Sequence, residues 1–190
     1  MTFNAIAESR PGPKWAGLFQ RSWPAYRRWW LSQGEGERPT YLACVKAIKR
    51  YMPELLPVHE TLSELAGGGD HAARFLSLYQ PPPYLSGCSQ AVWPGARPLL
   101  VRNYDYRPEA FDAVVLRTQW LEKRVLGMSD CMIGLLDGIN GDGLTVSLTF
   151  GGRRTVGPGF GIPLVLRYVL ETCSSVQEAV QVLQRVPCHM

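Results

Sequence analysis

The residue best placed to do chemistry is Cys88. It follows Gly87 and lies just beyond a proline-rich turn, Pro81-Pro82-Pro83. A free thiol titrates near ~8.5 and is mostly protonated at neutral pH, so a nucleophilic cysteine needs a base. The three histidines, His59, His71 and His189, are scattered along the chain. A fold can still bring one of them to Cys88, which leaves a His-dependent cysteine protease open. A second solution needs no histidine. If the Gly87–Cys88 bond is cut, Cys88 gains an α-amine with a pKa of about 7.7–8.0, able to take the thiol proton at neutral pH. Gly87 offers no side chain to obstruct attack on its carbonyl. Taken alone, a Gly-Cys pair is ordinary structure. The other cysteines are Cys44, Cys131, Cys173 and Cys188. The first three sit in apolar or helical patterns and read as small core residues. There is no CxxC pair and no Cys/His cluster at zinc spacing, so no metal and no cofactor is expected.

Two kinds of chain flank this position. Residues 1–87 read as helical. Trp15, Phe19, Trp23, Tyr26, Trp29 and Trp30 recur at spacings of three and four, mostly on one helical face. Such a stripe is core in its plainer reading and the wall of an acyl pocket in its sharper one. Pro24 falls in a first turn or at a kink. Thr40 is expected to cap a second helix through Tyr51. A third runs from Glu54 to Ala66 and stops at Gly67-Gly68-Gly69. Asp70 is expected to cap a short fourth helix to Tyr79.

The second half changes period. Ser89–Trp93 and Pro98–Tyr104, joined by Pro94-Gly95-Ala96-Arg97, read as a hairpin. Val114–Thr118 and Asp130–Leu136 read as further strands. A glycine-rich turn is expected over Asp137–Gly143, then a strand over Leu144–Phe150 and a loop over Gly151–Gly161. Ile162–Thr172 and Val176–Arg185 read as helices, the last capped by Ser174 or Ser175. Antiparallel strands followed by helices predict an α+β fold with helices on one sheet face.

Four segments in order resemble a known family. They are Gly87-Cys88-Ser89, then Val101-Arg102-Asn103-Tyr104-Asp105-Tyr106, then Asp137-Gly138-Ile139-Asn140-Gly141-Asp142-Gly143-Leu144, then Ile162-Pro163 through Cys173-Ser174-Ser175-Val176-Gln177-Glu178-Ala179. They resemble the N-terminal-nucleophile amide hydrolases and acyltransferases related to penicillin acyltransferase (peptidase family C45). Bile salt (choloylglycine) hydrolases and penicillin V acylases are more distant relatives. The hairpin places Cys88 opposite the Arg102–Asp105 region.

The resemblance implies an αββα sandwich and an autoproteolytically activated cysteine amidohydrolase or acyltransferase. Cys88 matches the nucleophile, and Gly87–Cys88 the self-cleavage site. Asp105 matches the carboxylate that orients the Cys88 α-amine, and a carboxylate there favours the charged amine and fixes its position. Arg102 matches a basic residue beside the nucleophile; its other reading is a partner for Asp105 or a surface cation. Thr149 and Phe150 fall where the bile salt hydrolase branch supplies an oxyanion-hole N–H. Phe150 replaces the Asn found there, and only a backbone donor survives that change. Asn103 reads as structural, and Asn140-Gly141 as a turn.

Residues 1–87 become a helical pro-segment or small subunit that stays associated with residues 88–190, the first part of the catalytic domain. The family's second sheet would lie beyond residue 190. The chain is therefore expected to be C-terminally truncated, with only the first sheet and its helices present. One sheet face would then be open to a missing half or to a second copy. The implied substrates are small acyl amides or acyl thioesters, a coenzyme A thioester among the possible donors.

Composition sets outer limits. The chain has 190 residues, 46% hydrophobic and 11% aromatic, enough for a sizeable core. The net charge is only +4, from 20 basic and 16 acidic residues, and does not point to nucleic acid. Residues 1–87 carry ten Lys/Arg against seven Asp/Glu, net +3, on what read as solvated helix faces. No apolar run reaches membrane-spanning length, and no signal peptide is evident, so reduced thiols and a cytoplasmic location are expected. Two further readings stand beside the enzyme. One is an inactive remnant or binding protein of the same fold. The other is an adaptor using Pro81-Pro82-Pro83-Tyr84 as a WW-type ligand.

Overall fold

The structure, a computed structural model, describes residues 2–84, 87–105, 111–150 and 155–190. Tyr106 and the first four residues of the Gly151–Gly161 loop lie outside them. The fold is α+β. Strand β1 (Asn4–Ala7) comes first, followed by helices α1 (Pro13–Trp30), α2 (Tyr41–Tyr51), α3 (Leu56–Leu65) and α4 (Asp70–Leu76). Strands β2 (Cys88–Trp93), β3 (Leu99–Tyr104), β4 (Val114–Thr118), β5 (Val125–Asp130), β6 (Gly134–Asn140) and β7 (Thr145–Ser147) follow. Helices α5 (Ile162–Thr172) and α6 (Val176–Arg185) close the chain. Among the described residues, no helix is long and apolar enough to cross a membrane.

The aromatic stripe of α1 is core. Trp15, Phe19 and Trp30 are buried. The rings of Phe19, Trp23, Tyr26, Trp29 and Trp30 all lie within 6.5 Å of the Phe75 ring of α4, centroid to centroid. Pro13 occupies the first turn, where its missing N–H is harmless. Pro24 is inside the helix. The Glu8 carboxylate accepts from the Lys14 and Trp15 amides, both at 3.0 Å, placing a negative charge at the helix N-terminus. Thr40 caps α2 as expected, accepting from the Ala43 amide. Gly67 and Gly68, with φ of 100° and 70°, end α3, and the Gly68 amide bonds back to the Ser63 carbonyl. The expected Asp70 cap is not made. Gly69 holds that position, and Asp70 instead pairs with Arg74 one turn on.

The main sheet has the order β1-β4-β5-β6-β7, with β1 parallel to β4 and the other pairs antiparallel. One face, with Val114, Leu116 and Val125, packs under α5 and the helical half. The other face exposes Leu126 and Ile139. The β2–β3 hairpin is a separate two-stranded sheet.

Several further expectations need correction, among them the strand over Leu144–Phe150, which spans only Thr145–Ser147. The stretch Asn4–Ala7 is a strand that its own sequence does not announce: it is short and lacks alternation, and it forms on the edge that β4 offers. The strand expected over Asp130–Leu136 is the end of β5, a tight connection and the start of β6. The connection runs through Cys131 and Met132 at φ of 54° and 64°. Left-handed backbone at non-glycine residues costs about 1–2 kcal/mol each and leaves no glycine or proline to mark the turn. It is held from several sides. Trp15 Nε1 donates to the Met132 carbonyl at 2.8 Å, and the Cys131 amide to Tyr26 Oη at 3.1 Å. The Met132 amide donates to Asp112 at 3.3 Å, and Arg167 Nε to the Ile133 carbonyl. Finally, the turn expected from Asp137 begins only after Asn140, with Gly143 at φ 85°. Asn140 is buried, donating to the Leu170 and Cys173 carbonyls and accepting from the Asp142 and Leu144 amides. It ties the end of β6 to the C-terminus of α5.

Candidate active site

The hairpin register decides which side chains meet. Cys88 pairs with Tyr104, Ser89 with Asn103, and Gln90 with Arg102. Alternation along each strand then sorts them. Cys88, Arg102 and Tyr104 share one face. Ser89 and Asn103 take the other.

On the first face, Arg102 Nη2 donates to Cys88 Sγ at 2.9 Å. Arg102 Nη1 donates to the Leu136 carbonyl and to Asp137 Oδ2, the latter at 3.3 Å. The Tyr104 hydroxyl also donates to Asp137 Oδ2, and the Arg102 guanidinium sits 4.4 Å from the centre of the Tyr104 ring. The Arg102 side chain is only 4% exposed, so its charge faces the sulfur with little solvent between. Arg102 is thus neither a surface cation nor a partner of Asp105.

On the second face, the Asp105 carboxylate accepts from Ser89 Oγ and Asn103 Nδ2. The Asp105 amide donates to the Gly87 carbonyl at 2.9 Å. A Cβ on Gly87 would lie 3.1 Å from the Asp105 carbonyl oxygen and 3.3 Å from its Cβ. Glycine therefore lets Asp105 close on the Gly87–Cys88 junction. Asp105 stands beside the backbone of Cys88, while Arg102 stands beside its sulfur.

Thr149 Oγ1 donates to the Cys88 carbonyl at 3.2 Å. Thr149 and Phe150 line a cavity of about 450 Å³ with Pro81, Tyr84, Leu148 and Ile162. The cavity is largely apolar, and Thr149 links its wall to the Cys88 backbone. Among the described contacts His59 bonds to the Ala73 carbonyl and His71 to Glu35, while His189 bonds to the Gly157 carbonyl through Nδ1 and itself lines the cavity.

A carboxylate pair, Asp112 half-buried and Asp130 buried, lines a second cavity with Tyr26, Trp29 and Tyr84. Asp112 accepts from Tyr26, from Ser129 at 3.0 Å and from the Met132 amide; Asp130 accepts from Tyr84 and from the Cys131 thiol, each at 3.4 Å. Burial, reinforced by the charge of Asp130, pushes Asp112 up to about 7. Burial pushes Asp130 up to about 6, against the pull of its hydrogen bonds and of the Arg102 charge. Burial also raises Tyr26 and Cys131. Glu35, Asp70 and His71 form the cluster with metal-ligand spacing among the described residues. It is largely exposed, and Arg74 already pairs with both of its carboxylates, so no metal role follows.

Sequence reasoning placed Cys88, Arg102, Asp105 and Thr149 where the structure brings them together. It missed Asp137 and Tyr104. Both stand inside the segments that resemble the family, but Asp137-Gly138 has the look of a turn, where the carboxylate would face solvent.

On this α+β fold the hairpin sets a cysteine sulfur against a buried guanidinium. A family model described as acyl-coenzyme A:6-aminopenicillanic acid acyl-transferase matches residues 93–190, more than half of the chain. The chain belongs to this family. The match takes in Arg102, Asp105, Asp137 and Thr149, and begins five residues after Cys88. No curated protein matches the chain.

Proposed function

We propose that the chain is a cysteine amide hydrolase or acyltransferase that activates itself by cutting the Gly87–Cys88 bond. The observation that carries this reading is the 2.9 Å contact between Arg102 Nη2 and Cys88 Sγ, at the first residue of a strand whose preceding peptide lies against Asp105. In the self-cleavage step Cys88 Sγ adds to the Gly87 carbonyl carbon, and the Gly87–Cys88 C–N bond breaks. The thiol proton ends on the departing nitrogen, leaving a thioester and a free α-amine. Water then hydrolyses the thioester, returning the Cys88 thiol and a Gly87 carboxylate. The new amine, beside the Asp105 carboxylate, serves as base for the same sulfur.

In turnover, Sγ attacks the carbonyl of an acyl amide or acyl thioester. The leaving amine or thiol departs with a proton, and water or an acceptor amine takes the acyl group from Cys88. The guanidinium supports the thiolate as it forms, and the Thr149–Phe150 segment is the candidate source of an oxyanion donor. The apolar cavity would hold the acyl chain.

Residues 1–87 act as a small subunit that remains bound after cleavage. Supporting this, Trp15, Tyr26 and Glu54 bond to Met132, Asp112 and Tyr168 across the division, and the two parts share one core. The β2–β3 hairpin would open the second sheet of an αββα sandwich, over the face that exposes Leu126 and Ile139.

Intact mass under denaturing conditions tests the reading. Wild type is expected as pieces of 87 and 103 residues, with Cys88→Ala uncut. A folded wild-type chain that stays whole would refute self-activation and favour a non-catalytic protein of the same fold.

A further inference from the structure

We infer that Asp137 is a positioning residue: shared by Arg102 and Tyr104, it holds the guanidinium against the Cys88 sulfur. The inference rests on the reading of Cys88 as the nucleophile. Its basis is the way β6 presents two consecutive acceptors to one guanidinium. The β5–β6 register shifts between Met128 and Ser129: Met128 pairs with Asp137 and Ser129 with Leu135. Leu136 is therefore the extra residue of a bulge, and its carbonyl is free of the β5 ladder. That carbonyl accepts from the Leu148 amide at 2.8 Å and from Arg102 Nη1. The next residue, Asp137, turns its carboxylate to the same Nη1.

Arg102 has few alternatives. Its buried Nε has no partner among the described residues, so Nη1, the Tyr104 ring and the more distant charge of Asp130 hold the guanidinium, leaving Nη2 aimed at the sulfur. Asp137 in turn is fixed by the Tyr104 hydroxyl, which donates to the oxygen that Arg102 uses. A long, flexible side chain loses rotamer freedom when pinned in this way, and the carboxylate supplies a charge-assisted bond that compensates.

Positioning and charge neutralisation predict opposite signs. If Asp137 only offset the Arg102 charge, removing it would leave a stronger positive field at Cys88 and a more reactive sulfur. If it positions Arg102, removing it frees the guanidinium to leave the sulfur, and reactivity falls.

The experiment is the rate of Cys88 alkylation by iodoacetamide in the folded full chain, read by peptide mass. The buried Cys44 serves as an internal gauge of folding. Asp137→Ala and Arg102→Ala are each expected to slow Cys88 alkylation about tenfold, the scale of one lost charge-assisted bond. The double variant is expected to be no slower than Arg102→Ala, because Asp137 acts through Arg102. Asp137→Asn, which keeps an acceptor oxygen, should fall between wild type and Asp137→Ala. An unchanged or faster rate in Asp137→Ala, or additive losses in the double variant, overturns the inference. Should Cys44 become reactive in Asp137→Ala, Tyr104→Phe decides: it removes only the hydroxyl that fixes Asp137, and an unchanged Cys88 rate overturns the inference. Intact mass of the same samples separates the two readings. Cleaved wild type with unaltered alkylation in Asp137→Ala fails the positioning role alone. Uncleaved wild type fails self-activation, while the alkylation rates still decide the role of Asp137.

Discussion

Arg167 and Glu171 form an ion pair with both side chains fully buried, one turn apart on α5, at 3.0 Å. Arg167 also donates to the Ile133 carbonyl and, at 3.1 Å, to Thr118 Oγ1, and it lies 3.9 Å from the Trp120 ring centre. Glu171 accepts the Leu121 amide at 3.1 Å. The pair therefore locks α5 to β4 and to the strained β5–β6 connection. Burial opposes both charges: it lowers Arg167 to about 10 and raises Glu171. Removing one partner leaves the other charged and dry, which costs about 3–5 kcal/mol. Against a total stability of about 5–15 kcal/mol, that is a large fraction. For a chain of this length, Glu171→Gln is expected to lower Tm by about 6–20 °C, at ~2–4 °C per kcal/mol.

Arg167→Met should cost less at low pH, because Glu171 can then neutralise itself. In that variant its folded pKa stands above the unfolded one. The stability it contributes is full below the unfolded value and is lost as pH rises through the folded value. Replacing both residues, Arg167→Met with Glu171→Leu, should recover most of the loss, since apolar groups of similar volume carry no desolvation penalty. Urea unfolding followed by tryptophan fluorescence reads all four proteins. Single-variant losses under about 1 kcal/mol, or a double variant that costs the sum of the singles, would refute the reasoning.

Two further expectations concern the carboxylate pair and the cavity. Asp112 and Asp130 are raised to about 7 and about 6, so folding favours their neutral forms. The stability they contribute is full below the ordinary carboxylate range and is lost as pH rises from about 4 through about 7. Asp130→Asn should flatten that loss, raising Tm at about pH 8 relative to about pH 5 when compared with wild type; an unaltered pH profile would exclude the pair as its source. Leu148→Trp narrows the cavity of about 450 Å³. It should cut kcat/KM for a long-chain acyl thioester about tenfold or more without affecting Gly87–Cys88 cleavage, and equal kcat/KM values would place the acyl group elsewhere.

Local signals carried much of this molecule. Thr40, Ser175 and the Gly67-Gly68 stop mark helix ends because each satisfies backbone groups within one turn. The α1 stripe announces a buried face because 3.6-residue periodicity is a property of the segment itself. The pairing of Cys88 with the Arg102–Asp105 region follows from a short hairpin, where sequence neighbours become cross-strand neighbours.

What the sequence by itself determined is the set of groups and their local order: α5 and α6 at their full extent, the hairpin, the isolated thiol after glycine, and the motifs of the family. What only the tertiary structure decided lies where the partner is distant in the chain. Strand β1 exists because β4, more than a hundred residues later, presents an edge. The Cys131–Met132 connection holds left-handed backbone at non-glycine residues because Trp15, Tyr26 and Arg167 converge on it. Asp137 faces Arg102 because a bulge in β6 re-aims the strand, and Asp112 and Asp130 become a pair because Tyr26 of α1 and the β5–β6 connection close around them. In each case the deciding energy is a long-range contact or the removal of solvent, and neither leaves a mark in the spacing of residues along the chain.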